Sequence, residues 1–262
     1  MTSCTPARTP VLRVRVHGDR KAMGRAAAAA VAAAMRARLA AQAGLRMVFA
    51  AAPSQHELLQ ALSEEPGLDW SRVTAFHLDE YLGLPPGAPQ RFARWLSTEF
   101  FDRVPLGAVH LIEPGPDPER TVRDYAAILA GAPIDIVCLG IGVNGHLAFN
   151  DPAVADLADP AAVKVVELDE ACRRQQVDDG CFGSLDEVPR RAITLTLPRL
   201  LAAGQLFCAV PGAAKAPAVR HAALDPIGAH CPATALRTHP DCTLFLDTAA
   251  ASQLPDGIGH VA

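Results

Sequence analysis

Short runs rich in Val, Ile, Leu and Phe recur along the chain, and stretches of helical length, amphipathic or alanine-rich, separate them. This alternation narrows the fold more than any other feature. Strand, helix and strand in that rhythm bury their apolar faces together as βαβ units around a mainly parallel sheet with helices on both faces. The runs predict strands at Val11–Val16, Leu45–Ala51, Val73–Leu78, Val109–Ile112, Ile134–Gly140, Ile193–Leu197, Gln205–Val210 and Cys242–Asp247. Helices are expected around 19–42, 54–65, 89–101, 117–130, 213–223 and 248–252. Ser54 precedes Glu57 at capping-box spacing, and Asp117 stands just before Pro118, a first-turn proline. The expectation is an α/β fold forming a single domain over 1–262. Residues 151–192 fit the rhythm least, being broken by Pro152, Pro160, Gly180, Gly183 and Pro189. That irregularity suggests a lid or binding insertion over 151–190.

Composition removes several function classes. Half of the 262 residues are hydrophobic, so a sizeable core is available. The formal net charge of -4 argues against a general nucleic-acid or membrane-surface binder, which needs a basic patch. No apolar run approaches the ~20 residues that span a bilayer. The seven cysteines, Cys4, Cys138, Cys172, Cys181, Cys208, Cys231 and Cys242, are odd in number and lack metal-ligand spacing, so neither a disulfide framework nor a metal site is expected. These features predict a reduced, cytoplasmic protein.

Ligands of open parallel sheets collect beyond the carboxyl ends of the strands. Three strand ends carry chemistry. The first runs Phe76-His77-Leu78-Asp79-Glu80-Tyr81. Adjacent acids point in different directions, so one of Asp79 and Glu80 is expected to face a pocket. Asp79 can serve as a general base with a pKa raised by desolvation, or as a turn acid holding backbone amides before Gly83; both readings are open. His77 shares parity with Asp79 and can line the same face or pack in the core.

The second strand end holds Gly140, Gly142 and Gly145 in a literal GxGxxG. A dinucleotide fingerprint must open a helix, and His146-Leu147-Ala148-Phe149-Asn150-Asp151-Pro152 does not, so no nicotinamide or flavin cofactor is expected. The glycines mark a close backbone approach, to a ligand or to a neighbouring element. His146, with Asn144 and Asp151 nearby in sequence, has the partners that fix an imidazole tautomer for proton transfer. At the third strand end, Lys215 follows Pro211-Gly212 near a helix start, where it can neutralise an anion or lie on the surface. Ser54 holds the analogous place after the second strand, as a phosphate contact or a simple cap. Arg173-Arg174 and Arg190-Arg191 supply further charge or are solvated.

Together these strings resemble the glucosamine-6-phosphate deaminase/isomerase family, which is grouped with the 6-phosphogluconolactonases. The resemblance runs from about Val11 to Ala250 and is strongest at 76–85 and 139–152, with weaker support at 192–197, at Pro211-Gly212…Lys215 and at 236–240. The run Ala148-Phe149-Asn150 is similar to the deaminase branch. The resemblance implies a Rossmann-like fold and a cofactor-free aldose–ketose isomerisation of an amino-sugar 6-phosphate, coupled to loss of ammonia. It further implies that His146, oriented by Asn144 and Asp151, opens the pyranose ring, that Asp79 moves the C2 proton to C1, and that Lys215 holds the phosphate. Ser54, Gln55, Glu80, Gly142, Gly145, Arg173 and Arg174 complete the expected substrate-binding set. Homo-oligomerisation is compatible with this reading.

Departures from the family pattern are local. Asn144 stands where Asp is frequent, and Asp151 where Glu is commoner. Ala51-Ala52-Pro53-Ser54-Gln55 replaces a glycine-rich phosphate loop, and Gln175-Gln176-Val177-Asp178-Asp179-Gly180 occupies the region of the family's phosphate-binding arginine. The serine-containing allosteric loop of some hexameric members appears as Ala153-Val154-Ala155-Asp156, which argues against control by an acetylated amino sugar. Two alternatives accompany the deaminase reading: a sugar-phosphate lactonase, which needs His146 but tolerates loss of the Asp79 carboxylate, and a non-catalytic sugar-phosphate sensor.

Overall fold

The computed structural model describes residues 12–258, together with the backbone of 260–261. Its strands are β1 (Arg13–His17), β2 (Leu45–Phe49), β3 (Val73–His77), β4 (Asp79–Tyr81), β5 (Ala108–His110), β6 (Ile136–Leu139), β7 (Val163–Glu167), β8 (Arg191–Leu195), β9 (Gln205–Val210), β10 (Cys242–Asp247) and β11 (His260–Val261). The α-helices are α1 (Arg20–Ala41), α2 (His56–Ser63), α3 (Phe92–Glu99), α4 (Pro118–Ala130), α5 (Glu170–Asp178), α6 (Leu197–Leu201) and α7 (Ala216–Leu224). Eight strands form one sheet in the order β11-β1-β10-β9-β6-β2-β3-β5, and every pairing within it is parallel. The expected α/β architecture with a mainly parallel sheet is therefore the observed one.

Period-two alternation sends successive side chains of each central strand to opposite layers. Val48, Val137, Leu139, Leu206, Cys208 and Leu244 join the core beneath α4, α6 and α7. Met47, Phe49, Ile136, Cys138, Phe207 and Phe245 join the core beneath α1, α2 and α3. Alanine, the best helix former, dominates α1, whose start is capped by Asp19 Oδ1 accepting from Ala22 N at 2.7 Å. Its buried positions Met23, Ala27, Val31, Met35 and Leu39 fall at intervals of four, so one stripe of the helix covers the sheet.

Several boundaries differ from the sequence pattern. The expected first strand begins at Val11, outside the described residues, and β1 extends to His17. No helix forms at 248–252; these residues make turns, in which Asp247 Oδ1 accepts from Ala250 N and the amides of Ala251 and Ser252 donate to the carbonyls of Asp247 and Ala249. The strand expected at Ile193–Leu197 ends at Leu195, because the Thr196 hydroxyl accepts from Arg199 N and opens α6. Ser54 does not cap α2 either: a 3-10 turn spans Pro53–Gln55, and the Ser54 hydroxyl accepts from Gln55 Nε2 at 3.3 Å. The irregular region 151–192 contains β7 and α5. Its strands β7 and β8 join β4 in a separate antiparallel sheet, order β4-β8-β7. The six described cysteines are free thiols, and Cys4 lies outside the described residues. No helix among the described residues is long and apolar enough to cross a membrane.

Candidate active site

The carboxyl ends of β2, β3, β6 and β9 open onto one cleft, which contains Asp79, His146, Gly142, Ser54, Gln55 and Lys215. Residues from four distant stretches of sequence thus meet where the strand-end rule places a ligand.

The turn after β6 is shaped around an imidazole. Gly142 lies under the His146 ring so closely that a Cβ there would sit 2.1 Å from it, and Gly145 has φ +81° with Cys231 Sγ where a Cβ would go. Gly142 and Gly145 of the GxGxxG string serve this packing, while a Cβ at Gly140 would lie 2.9 Å from Gln55 Nε2. His146 Nδ1 lies 2.8 Å from Asn144 Oδ1 and 3.0 Å from Asp151 Oδ1. The Asn144 amide cannot be flipped, since its Nδ2 donates to Asp151 Oδ1 at 3.0 Å and to Asp169 Oδ2 at 2.9 Å, both acceptors only. With two oxygens facing Nδ1, that nitrogen carries the proton in the neutral ring. Nε2 is left as a base beside Gly142 at the cleft.

Asp151 is fully buried; its Oδ2 accepts from Asp169 N at 3.1 Å. Burial pushes its carboxyl up, but His146, Asn144 and the Asp169 amide outweigh that and hold it below the usual carboxylate range. His146, Asp151 and Cys172 bring potential metal-ligating atoms within 4.8 Å of one another. Both Asp151 oxygens are already engaged, and burial raises the Cys172 thiol well above its ordinary value. The trio is accordingly a hydrogen-bonded cluster behind the histidine.

Asp79 and Glu80 separate as adjacent strand residues must. Asp79 faces the cleft, and among the described residues no side-chain hydrogen bond engages its carboxylate. Burial, then the charges of Glu80 and Asp151, raise it well above the ordinary carboxylate value. Glu80 does not reach the cleft, against expectation. It is fully buried and accepts from the backbone amides of Tyr81, Phe92 and Ala93 at 2.9–3.2 Å, with Arg91 Nε 3.5 Å away, and so caps the start of α3. His77 is also fully buried, with both ring nitrogens unpartnered among the described residues and its pKa pushed down to about 3 by burial and Arg91. It is a neutral core histidine.

At the opposite end Lys215 is 7% exposed, and its Nζ has no partner among the described residues. Burial lowers its pKa to about 8, while Asp179 and Cys172 oppose the shift. The turn before it is fixed by Asp247, whose carboxylate accepts from Gly212 N at 3.0 Å. Two expected cations are elsewhere. Arg173 is buried and donates to the carbonyls of Val188 and Leu185, anchoring the loop before β8. Arg174 is exposed and pairs with Glu170 one helical turn away. Arg190 and Arg191 are exposed as well.

Sequence reasoning did not single out Phe92, Ala148 or Asp169. Phe92 and Ala148 line the cleft, and Asp169 holds Asn144. Ala148 is the one described non-glycine residue with positive φ, at 51°. That strain at the cleft wall has no signature in an alanine. Asp169 does carry a signal, as an acid opening the helix pattern after β7, and it caps α5 by accepting from Cys172 N at 2.7 Å.

The model of one protein family, glucosamine-6-phosphate isomerases/6-phosphogluconolactonase, matches residues 18–245. The chain belongs to this family. A glucosamine-6-phosphate deaminase of Exiguobacterium sp. is 37% identical over 196 residues, 74% of this chain and 75% of that protein. One of Pseudarthrobacter chlorophenolicus is 34% identical over 93% of each chain. Among solved structures, a monomeric glucosamine-6-phosphate deaminase aligns with a TM-score of 0.84 and 25% identity, covering 92% of this chain and all of its own.

Proposed function

We propose that the protein converts glucosamine 6-phosphate and water to fructose 6-phosphate and ammonia. The observation that carries this reading is the pairing, in one cleft, of a tautomer-fixed imidazole with a desolvated, unpartnered carboxylate. The reaction needs one group to exchange protons with oxygen and another to exchange them with carbon. The names of the relatives support the same substrate.

His146 Nε2 takes the proton of the anomeric hydroxyl, and the resulting imidazolium returns a proton to the ring oxygen, giving the open aldehyde. Asp151, held below the usual carboxylate range, stabilises that imidazolium. Asn144 supplies orientation without a second full charge. Asp79 then removes the proton from C2 while the aldehyde oxygen takes a proton from the substrate's own C2 ammonium, giving a neutral enolamine with a hydroxyl on C1, and Asp79 delivers its proton to C1. The product is a C2 iminium; water adds at C2, a proton passes from that oxygen to the nitrogen, and ammonia leaves. A carboxylate with a raised pKa is suited to this carbon proton because its driving force approaches neutrality. Lys215, Ser54 and the backbone amides after β2 hold the phosphate; Arg173, Arg174 and Glu80, committed elsewhere, do not. Residues 151–190 act as a fixed wall carrying Gln175 and Gln176, the protein works in the cytoplasm, and nucleic acid is not a partner.

The test is direct. Pure protein is incubated with glucosamine, galactosamine and mannosamine 6-phosphates, and ammonia and ketose phosphate are quantified. Ammonia from glucosamine 6-phosphate with equimolar fructose 6-phosphate supports the assignment; no ammonia from any of the three above a His146→Ala control overturns it.

A further inference from the structure

The Lys215 end of the cleft has two buried polar atoms without a partner among the described residues, of opposite kind. Lys215 Nζ is a donor, and Gln55 Oε1 is an acceptor. The Gln55 amide cannot be turned to remove the mismatch: its Nε2 donates to the Ala209 carbonyl at 3.1 Å, and of the two ends of the amide only the nitrogen can donate to a carbonyl. Ala209 lies near the end of β9, and Lys215 lies in the turn that leaves the same strand. Both residues line the same cleft. Lys215 is also the single cation among the cleft-lining residues, and Asp179, held by Gln175 Nε2 at 3.1 Å, already opposes part of its charge.

A group that satisfies this end must accept from an ammonium and donate to an amide oxygen. A fully deprotonated oxyanion does the first and not the second, leaving Gln55 Oε1 buried and facing a negative oxygen. A phosphate monoanion carries a P–OH and does both. Buried acceptors reject ligands that lack the matching donor far more strongly than apolar walls reject a wrong shape. We infer that Gln55 is a specificity-determining residue, which selects a protonated, singly charged phosphate over dianionic oxyanions by accepting its P–OH hydrogen. The inference rests on the reading that this cleft takes a phosphorylated ligand.

The experiment is calorimetric titration of the whole protein with inorganic phosphate and with sulfate at about pH 5.5, where phosphate is mainly protonated and sulfate is not. Wild type is expected to bind phosphate at least roughly tenfold more tightly than sulfate, the worth of one hydrogen bond to a buried acceptor. Gln55→Met, which keeps the length of the side chain and removes the amide, should lose that preference. Its phosphate affinity should fall while its sulfate affinity holds. The wild-type ratio is informative even if the variant fails to fold. Equal binding of the two anions by wild type, or an unchanged ratio in Gln55→Met, would overturn the role of Gln55 and leave the phosphate reading intact. Failure of both anions to bind, with Lys215→Met indistinguishable from wild type, would overturn the phosphate reading and this inference with it.

Discussion

The two ends of the cleft are built on opposite terms. Around His146 the protein supplies most of the partners: Asn144, Asp151 and the Asp169 carboxylate and amide satisfy one another in a closed set, and Gly142 leaves room for one ring position. At the other end the protein leaves its groups unsatisfied, with Lys215 Nζ and Gln55 Oε1 buried and unpartnered. Asp79 sits between them, desolvated yet open to the cleft. The first end is preorganised and gains nothing structural from a ligand. The second stores desolvation that a ligand relieves. Chemistry and affinity should therefore respond to different substitutions.

The largest effect is expected at Asp79. Asp79→Asn removes the carbon base and should lower kcat by roughly 10²–10⁴. Its pKa is raised on folding, so its contribution to stability is full below the ordinary carboxylate range and is lost as pH rises through the raised value. At neutral pH the amide relieves that cost, and a melting curve should show a higher midpoint, by roughly 2–4 °C for each kcal/mol recovered. A variant that is both inactive and less stable would break the claim that Asp79 is strained for function.

Next in size, Gly142→Ala pushes the His146 ring from its place and should cost about a hundredfold in kcat with little change in KM, measured by steady-state ammonia release. Lys215→Met should instead act through KM, raising it by roughly ten- to a hundredfold. The pH profile of kcat/KM separates the two ends further. Activity should rise as Asp79 ionises, above the ordinary carboxylate range, fall as the substrate phosphate loses its second proton at roughly 6, and fall again as free Lys215 loses its proton at about 8. In Lys215→Met the alkaline fall near 8 should vanish. The smallest catalytic effect is expected from Glu80→Gln, which weakens the cap of α3 and should lower stability by about 1–2 kcal/mol in a denaturant titration, with kcat within a few-fold of wild type.

Much of this was legible in residue order, and what was not has a physical reason. The parallel sheet followed from period-two alternation and from helical spacing, both local. The antiparallel β4-β8-β7 sheet did not, because it pairs residue 79 with 194, a long-range match without a periodic signature. Asp79, His146, Asn144, Asp151, Ser54, Gln55 and Lys215 were expected in one site; the fold lines one cleft with Asp79, His146, Ser54, Gln55 and Lys215 and sets Asn144 and Asp151 behind the imidazole. Glu80 was expected there too, but an acid beside Asp79 on a strand must point the other way, and its orphaned helix amides only exist once α3 has docked. Arg173 and Arg174 lie outside the cleft, held by the Val188 carbonyl and by Glu170, because charge in a sequence does not show which carbonyls or acids already claim it. Gln55 was expected at the ligand, but the orientation of its amide is not legible in sequence and is fixed by the Ala209 carbonyl.

In the proposed reaction Asp79 carries hydrogen from C2 to C1. Glucosamine 6-phosphate deuterated at C2 should be turned over with the wild-type protein in ordinary water and the fructose 6-phosphate examined by NMR. Detectable deuterium at C1, with ammonia released in step and both lost in Asp79→Asn, is the predicted result. Transfer of the label by Asp79→Asn at a rate near that of wild type would contradict it.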